Sequence, residues 1–255
     1  MAQSIAVAGK GGTGKTTITA LIVKYLVDRK RGPILVIDAD PDSNLATMLG
    51  VKAEQSVGDM REDMLKDIKK LPAGMEKAAY MEAGLHQVIS EQTGFDLLTM
   101  GRGEGPGCYC YLNSLLRKFS DDLYPSYQWV VMDNEAGLEH ISRRTTNNID
   151  CLLAVITESP LAFATAKNIE AITGAIKNSI KRKMIISSMV RPEKQDIVRQ
   201  RCTESAFEYI GNVPRDTAIE DAVLEGRGLL TVTDSIAFNR ITELMPIIGG
   251  FNADS

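Results

Sequence analysis

No stretch of the chain is apolar for long enough to span a membrane. A glycine-rich loop begins as early as Gly9, which leaves no room for the apolar core of a signal peptide. A cytoplasmic protein is expected. Basic charge is not in excess either: 29 Lys and Arg stand against 33 Asp and Glu, a net charge of −4, whereas a nucleic-acid surface normally needs a basic patch. The most basic stretch, Lys177 to Lys183, reads as a solvated helix end leading into a strand. Neither nucleic acid nor membrane is therefore expected as a partner. Cysteine is scarce, at four residues, and in a reducing compartment these form no disulfide framework. Cys151 opens an apolar run and reads as a small buried hydrophobe, while Cys202 lies on a charged, helix-like stretch without a neighbouring ligand type. The two histidines, His86 and His140, read as surface or satisfied core imidazoles. Length allows one domain or two, but no linker, repeat or low-complexity segment divides the chain, so one domain over residues 1–255 is expected.

What the chain has is a regular alternation. Short apolar runs at Ser4–Ala8, Ile34–Ile37, Phe95–Met100, Trp129–Met132, Cys151–Ile156, Met184–Ser188 and Tyr209–Val213 read as strands. Helix-period stretches at Thr16–Asp28, Val57–Lys70, Glu76–Gln92, Leu112–Leu123, Leu161–Ser179, Lys194–Glu208, Thr217–Glu225 and Ser235–Ile247 fill the gaps. Strands this continuously apolar are buried on both faces, which predicts an α/β fold: a doubly wound, mostly parallel sheet with helices on both sides. The segment Met60–Met81, broken by Pro72-Ala73-Gly74, is expected to lie at the periphery.

The first strand runs into Gly9-Lys10-Gly11-Gly12-Thr13-Gly14-Lys15-Thr16-Thr17. The spacing G-x-x-x-x-G-K-T turns the backbone N–H groups of Gly11 through Thr17 onto phosphate, brings Lys15 to the outer phosphates and offers a Mg²⁺ ion the Thr16 hydroxyl. The following helix aims its positive end at the same charge. A plain glycine-rich turn would leave the flanking strand and helix unexplained. Lys10 is not needed for cradling phosphate, and a solvated loop lysine is the competing reading. With it, the loop resembles the deviant phosphate-loop ATPases, which include nitrogenase iron protein and the partitioning and division-site ATPases. That resemblance implies a lysine reaching across a homodimer to the partner's nucleotide.

In such a sheet, ligands lie beyond the carboxyl ends of the strands. Two runs end there in aspartate: Ile34–Ile37 in Asp38-Ala39-Asp40-Pro41-Asp42, and Trp129–Met132 in Asp133-Asn134-Glu135-Ala136-Gly137. Asp40 is the candidate that orients the hydrolytic water, and Asp38 lies nearer the hydration shell of Mg²⁺. Asp133 is expected to hold Mg²⁺ through water, and Gly137, at D-x-x-x-G spacing, to sense the γ-phosphate. Either aspartate alone would read equally well as a helix cap or turn residue. Related ATPases read adenine with an asparagine after the sixth strand, where this chain has Ser187-Ser188-Met189. Ser188 is the substitute, and Gly211-Asn212-Val213-Pro214-Arg215 resembles the family's G-x-I-P segment, which makes Val213, Pro214 and Arg215 base contacts.

A glycine-rich stretch, Gly101 to Gly107, leads to Cys108-Tyr109-Cys110. Two thiols fall short of the four ligands of structural zinc, and a redox pair or two buried cysteines are the other readings. An isologous dimer would bring two such loops together as Cys₄, a soft site for Zn²⁺ or Ni²⁺. The phosphate loop, the Asp38–Leu45 segment, Cys108-Tyr109-Cys110 and Asp133–His140 occur in the same order as in the CooC family, which the chain resembles nearly end to end. The resemblance implies an ATP-dependent homodimer whose interfacial Cys108 and Cys110 bind nickel or zinc, assisting nickel insertion into carbon monoxide dehydrogenase or acetyl-CoA synthase. Two alternatives remain. A positioning ATPase usually carries a basic surface or amphipathic anchor, and a bridging iron–sulfur ATPase usually carries its cysteines far apart.

Overall fold

The computed structural model describes residues 2–67, 83–101, 119, 122–134, 148–175 and 179–251. Its strands are β1 (Gln3–Gly9), β2 (Ile34–Asp38), β3 (Ile89–Gln92), β4 (Phe95–Thr99), β5 (Trp129–Asp133), β6 (Asn148–Ile156), β7 (Ser179–Ser188) and β8 (Glu208–Val213). The helices are α1 (Lys15–Asp28), α2 (Leu45–Leu49), α3 (Val57–Asp67), α4 (Pro160–Ala175), α5 (Gln195–Cys202), α6 (Thr217–Leu224) and α7 (Ile236–Gly249). The strands form one sheet of eight in the order β3-β4-β2-β5-β1-β6-β7-β8. Every pairing is parallel except β3 with β4. This is the expected doubly wound α/β architecture.

The pleat sorts the strand residues between two cores. In β1, Ile5 and Val7 join one cluster with Ile18, Leu21 and Leu26 of α1 and Ile241, Leu244 and Ile248 of α7. Ala6 and Ala8 face the other way, into a cluster with Ala162 and Ile169 of α4 and Val198 of α5. Each fully buried Leu or Ile contributes roughly 1.5–3 kcal/mol, so apolar pressure from both sides fixes the central strands. No helix among the described residues is long and apolar enough to cross a membrane.

Six of the seven predicted strands lie within observed ones, and the seventh, Phe95–Met100, overruns β4 by one residue; several helix boundaries also need correction. The helix expected over Glu76–Gln92 cannot reach its end, because Ile89–Gln92 is a strand paired antiparallel to β4. Gly94, at φ +92°, makes the tight return from Gln92 to Phe95 possible. The helix expected over Leu161–Ser179 cannot include Ser179, where β7 begins; its described part is Pro160–Ala175. Lys181, Arg182 and Lys183 are thus strand residues and not a helix end. Lys181 pairs with Asp150 at 2.6 Å, and Arg182 donates to the carbonyls of Ile247 and Ile248 at the end of α7. The helix expected over Lys194–Glu208 stops at Cys202. The opening of the Met60–Met81 segment is not peripheral, since Met60 is buried in the second core. Helix α2 carried no predicted signal. Most of Leu112–Leu123 falls outside the described residues.

Candidate nucleotide site

The loop from Gly9 to Lys15 connects the central strand to a 14-residue helix. Its conformation requires glycine at two places. A Cβ on Gly9 would clash with the Val155 carbonyl of β6, and Gly14 caps α1 at φ +86°, where a Cβ would stand 3.1 Å from Ser188 Oγ. Thr13 ties the loop down, donating from its N–H and its hydroxyl to the Lys10 carbonyl at 3.3 and 2.8 Å. No side chain caps the start of α1, and no acidic residue occupies its first turn. The unsatisfied N–H groups there, with the helix dipole, form an anion seat. Lys15 is buried, Thr16 and Thr17 are half-buried, and Lys10 is half-buried without an ion pair among the described residues.

Strand register brings the carboxylates to this loop. Asp133 is paired with Val7 on one side and with Asp38 on the other. Asp133 Oδ1 accepts from Thr19 Oγ1 at 3.3 Å, whereas its Oδ2 is buried with no hydrogen-bond partner among the described residues. Burial pushes Asp133 up to about 6, while Thr16 and Lys15 nearby pull it down. Burial likewise pushes Asp38 up to about 7, with the charge of Asp133 adding to the rise and the Leu45 N–H opposing it. Asp38 is already engaged: its Oδ1 accepts from the Asp40 N–H at 3.2 Å and its Oδ2 from the Leu45 N–H at 3.0 Å. The expected Mg²⁺-side residue therefore also pins the following loop and starts α2. Asp40 is half-buried, and its Oδ1 accepts from the Asp42 N–H at 3.0 Å.

The expected base contacts converge. A cavity of about 410 Å³ is lined by Gly14 of the loop and Thr17 of α1, by Ser188 and Met189 at the end of β7, and by Val213, Pro214 and Arg215 at the end of β8. Ile219, Val223 and Leu224 of α6 make the remaining wall mostly apolar, as a planar base requires. Arg215 stands at the rim, where it pairs with Glu220 at 2.6 Å.

The family model described as "CobQ/CobB/MinD/ParA nucleotide binding domain" matches residues 4–230. The chain belongs to this family of phosphate-loop nucleotide-binding ATPases. It is 42% identical over 224 residues to an uncharacterized ATP-binding protein of Methanocaldococcus jannaschii, covering 87% of this chain and 88% of that one. It is 31% identical over 239 residues to the carbon monoxide dehydrogenase accessory protein CooC of Rhodospirillum rubrum, covering 86% of each. A solved ParA family ATPase from Chlorobium tepidum superposes with a TM-score of 0.70 at 17% identity, over 95% of this chain and 97% of that one. In this CobQ/CobB/MinD/ParA member, the site lies on the central strands of the shared fold.

Cys108, Cys110, Gly137 and His140 lie outside the described residues. What is described is the root of the cysteine-bearing stretch. β4 ends at Thr99, paired with Asp38, and the Met100 N–H donates to the Asp38 carbonyl at 2.8 Å. A Cβ on the next residue, Gly101, would clash with Ser56 Oγ. Among the described residues no cluster of three or more His, Cys, Asp or Glu side chains can hold a metal.

Three contributors escaped sequence reasoning. Thr19 lies three residues after Thr16, hence on the same helix face, and that spacing was the available signal. Asn134 donates its Nδ2 to the Val7 carbonyl at 3.1 Å and so fixes the chain leaving Asp133. Met189 lines the same 410 Å³ cavity at φ +56°, a strained conformation for a non-glycine, and nothing in its neighbours announces it.

Proposed function

We propose that the chain is an ATP hydrolase acting as a nucleotide-controlled homodimer. Its Cys108 and Cys110 would complete a Ni²⁺ or Zn²⁺ site across the dimer and assist nickel insertion into carbon monoxide dehydrogenase or acetyl-CoA synthase. One observation carries this reading: the stretch leading to the two cysteines leaves the sheet beside Asp38. Cys108 follows Gly101 by seven positions, a tether of at most about 25 Å. Nucleotide chemistry and thiols would then share the carboxyl end of the sheet. Identity of 31% to CooC over most of the chain favours the same assignment.

Gly11, Gly12, Thr13 and Gly14 would cradle the phosphates with Lys15, Thr16 and Thr17. The buried, unpartnered Asp133 Oδ2 suits Mg²⁺, which Asp133 would hold with Thr16 and, more distantly, Asp38. When bound, Mg²⁺ supplies charge neutralisation to the terminal phosphates. Asp40 would orient the attacking water through the carboxylate oxygen not used by Asp42, and the Gly137 N–H would sense the γ-phosphate. Ser188, Val213, Pro214 and Arg215 would hold adenine. Lys10 of each protomer would reach the partner's nucleotide, so that ATP closes the dimer and hydrolysis releases it.

Metal titration combined with gel filtration tests the central claim. One Ni²⁺ or Zn²⁺ per dimer is expected, with binding lost in the Cys108→Ala/Cys110→Ala variant. If that variant binds metal as the parent does, the thiol site is wrong. If instead ATP drives co-sedimentation with DNA or liposomes, the chain is a positioning ATPase.

A further inference from the structure

A second cavity, of about 550 Å³, runs along β8; it touches no residue of the phosphate loop and adjoins the first cavity at Pro214. It is lined by Asp196 and Arg199 of α5, by Tyr209–Asn212 of β8 and by Arg240 of α7. These helices pack on opposite faces of the sheet: Val198 of α5 belongs to one core, and Ile241 and Leu244 of α7 to the other. Residues from both faces line one cavity only where it passes over the edge of the sheet, and β8 is the terminal strand on this side. The floor of the groove is therefore the outer backbone edge of β8, and the two helices are its walls.

That edge is open. Beyond its ladder to β7, β8 has no other main-chain partner within its groove-lining part among the described residues; Arg240 Nε donates to the Asn212 carbonyl at 3.3 Å, a bond that an added strand would replace. An open edge is a template for another strand. A bulge at Ile210, where Tyr209 pairs with Ile185 but Gly211 with Ile186, gives this template a particular twist and register. Each wall also carries a guanidinium. Arg199 makes no ion pair among the described residues, and Arg240, besides its bond to the Asn212 carbonyl, forms an ion pair with Glu243, their side chains being 35% and 65% exposed. Such an exposed pair is readily exchanged for a better one.

We propose that β8 takes up an extended, acidic segment of a partner protein as an added strand, with neighbouring acidic side chains divided between Arg199 and Arg240. Adjacent residues of a strand point to opposite faces, so acidic residues at successive positions meet opposite walls. The backbone edge supplies the affinity, and the two arginines choose the sequence.

Panning a random displayed-heptapeptide library against the full chain is the test. Proline-free peptides with two adjacent acidic residues among β-branched ones are expected to be enriched. A synthetic peptide of the enriched sequence should lose about tenfold in affinity or more for Arg199→Glu and for Arg240→Glu. On the parent protein, N-methylation of alternate peptide amides should abolish binding. Failure to enrich any such sequence overturns the proposal. So does undiminished binding of the N-methylated peptide, and so does its displacement by inorganic phosphate or free aspartate at equal affinity, which would make the groove a small-anion site.

Discussion

Burial of Asp38 and Asp133 side by side makes the folded chain hold protons that the unfolded chain has already released at neutral pH. With Asp38 raised to about 7 and Asp133 to about 6 from an ordinary 3.8, the folded state binds more protons than the unfolded state between about pH 4 and 7. These two groups therefore weaken the nucleotide-free fold as pH rises through that window. The same shifts act on the ligand. Mg²⁺ needs the carboxylates ionised, so Mg²⁺-nucleotide affinity is expected to fall on acidification from pH 7.5 to 5.5, by up to about tenfold per pH unit for each proton displaced. Nucleotide titrations with and without Mg²⁺ measure this. In Asp133→Asn, Mg²⁺ should no longer strengthen nucleotide binding at any pH. An affinity that is flat with pH in the parent would remove Asp133 from the metal's coordination.

Helices α6 and α7 are held at a common point by Asp216. Its Oδ1 caps α6 by accepting from the Ala218 N–H at 2.9 Å, and its Oδ2 accepts from Ser235 Oγ at 2.6 Å and the Ala237 N–H at 2.9 Å, at the start of α7. Burial alone would raise its pKa, but the bonds from Ser235, Ala237, Ala218 and Ile219 outweigh it, and the net shift is downward. Asp216→Ala removes a cap worth about 1 kcal/mol and leaves Ser235 Oγ and the Ala237 N–H without their acceptor. A loss of about 2–4 kcal/mol in urea unfolding is expected at pH 7. Because the folded pKa lies below the unfolded one, the deficit should shrink as pH falls below about 4. A constant deficit down to pH 3 would mean that packing, not charge, joins the two helices. Elements were legible in the sequence where periodicity had a single reading, as in Ile34–Ile37 or Trp129–Met132. They were illegible where polar residues are satisfied tertiarily. Lys181 and Arg182 look like a solvated helix end until Asp150 and the end of α7 appear as their partners, and Asp216 looks like a local cap until Ser235 arrives from nineteen residues away.

At the scale of the whole molecule, a phosphate loop in this family's fold binds nucleotide within one protomer, and under the proposed function the two lysines of the loop would separate binding from assembly. Lys15 is buried at the first residue of α1, within reach of phosphate in its own chain. Lys10 is different: its carbonyl is held by Thr13, which fixes the backbone, while its half-buried side chain has no ion-pair partner among the described residues. A cation held at the loop's mouth without a counter-charge is placed to meet a phosphate arriving on another surface. Lys15→Ala is therefore expected to lose nucleotide binding outright. Lys10→Ala should keep the monomer's nucleotide affinity within about twofold, yet lose ATP-dependent dimerisation and about 10³-fold in hydrolysis, the lower range for a charge-stabilising cation supplied to phosphoryl transfer. Light scattering on a sizing column and phosphate release read the two effects separately. If Lys10→Ala hydrolyses ATP at the parental rate, its charge serves neither the transition state nor the dimer. If it hydrolyses slowly but still dimerises, the lysine acts on its own nucleotide, and thiols brought together by ATP would need a different clasp.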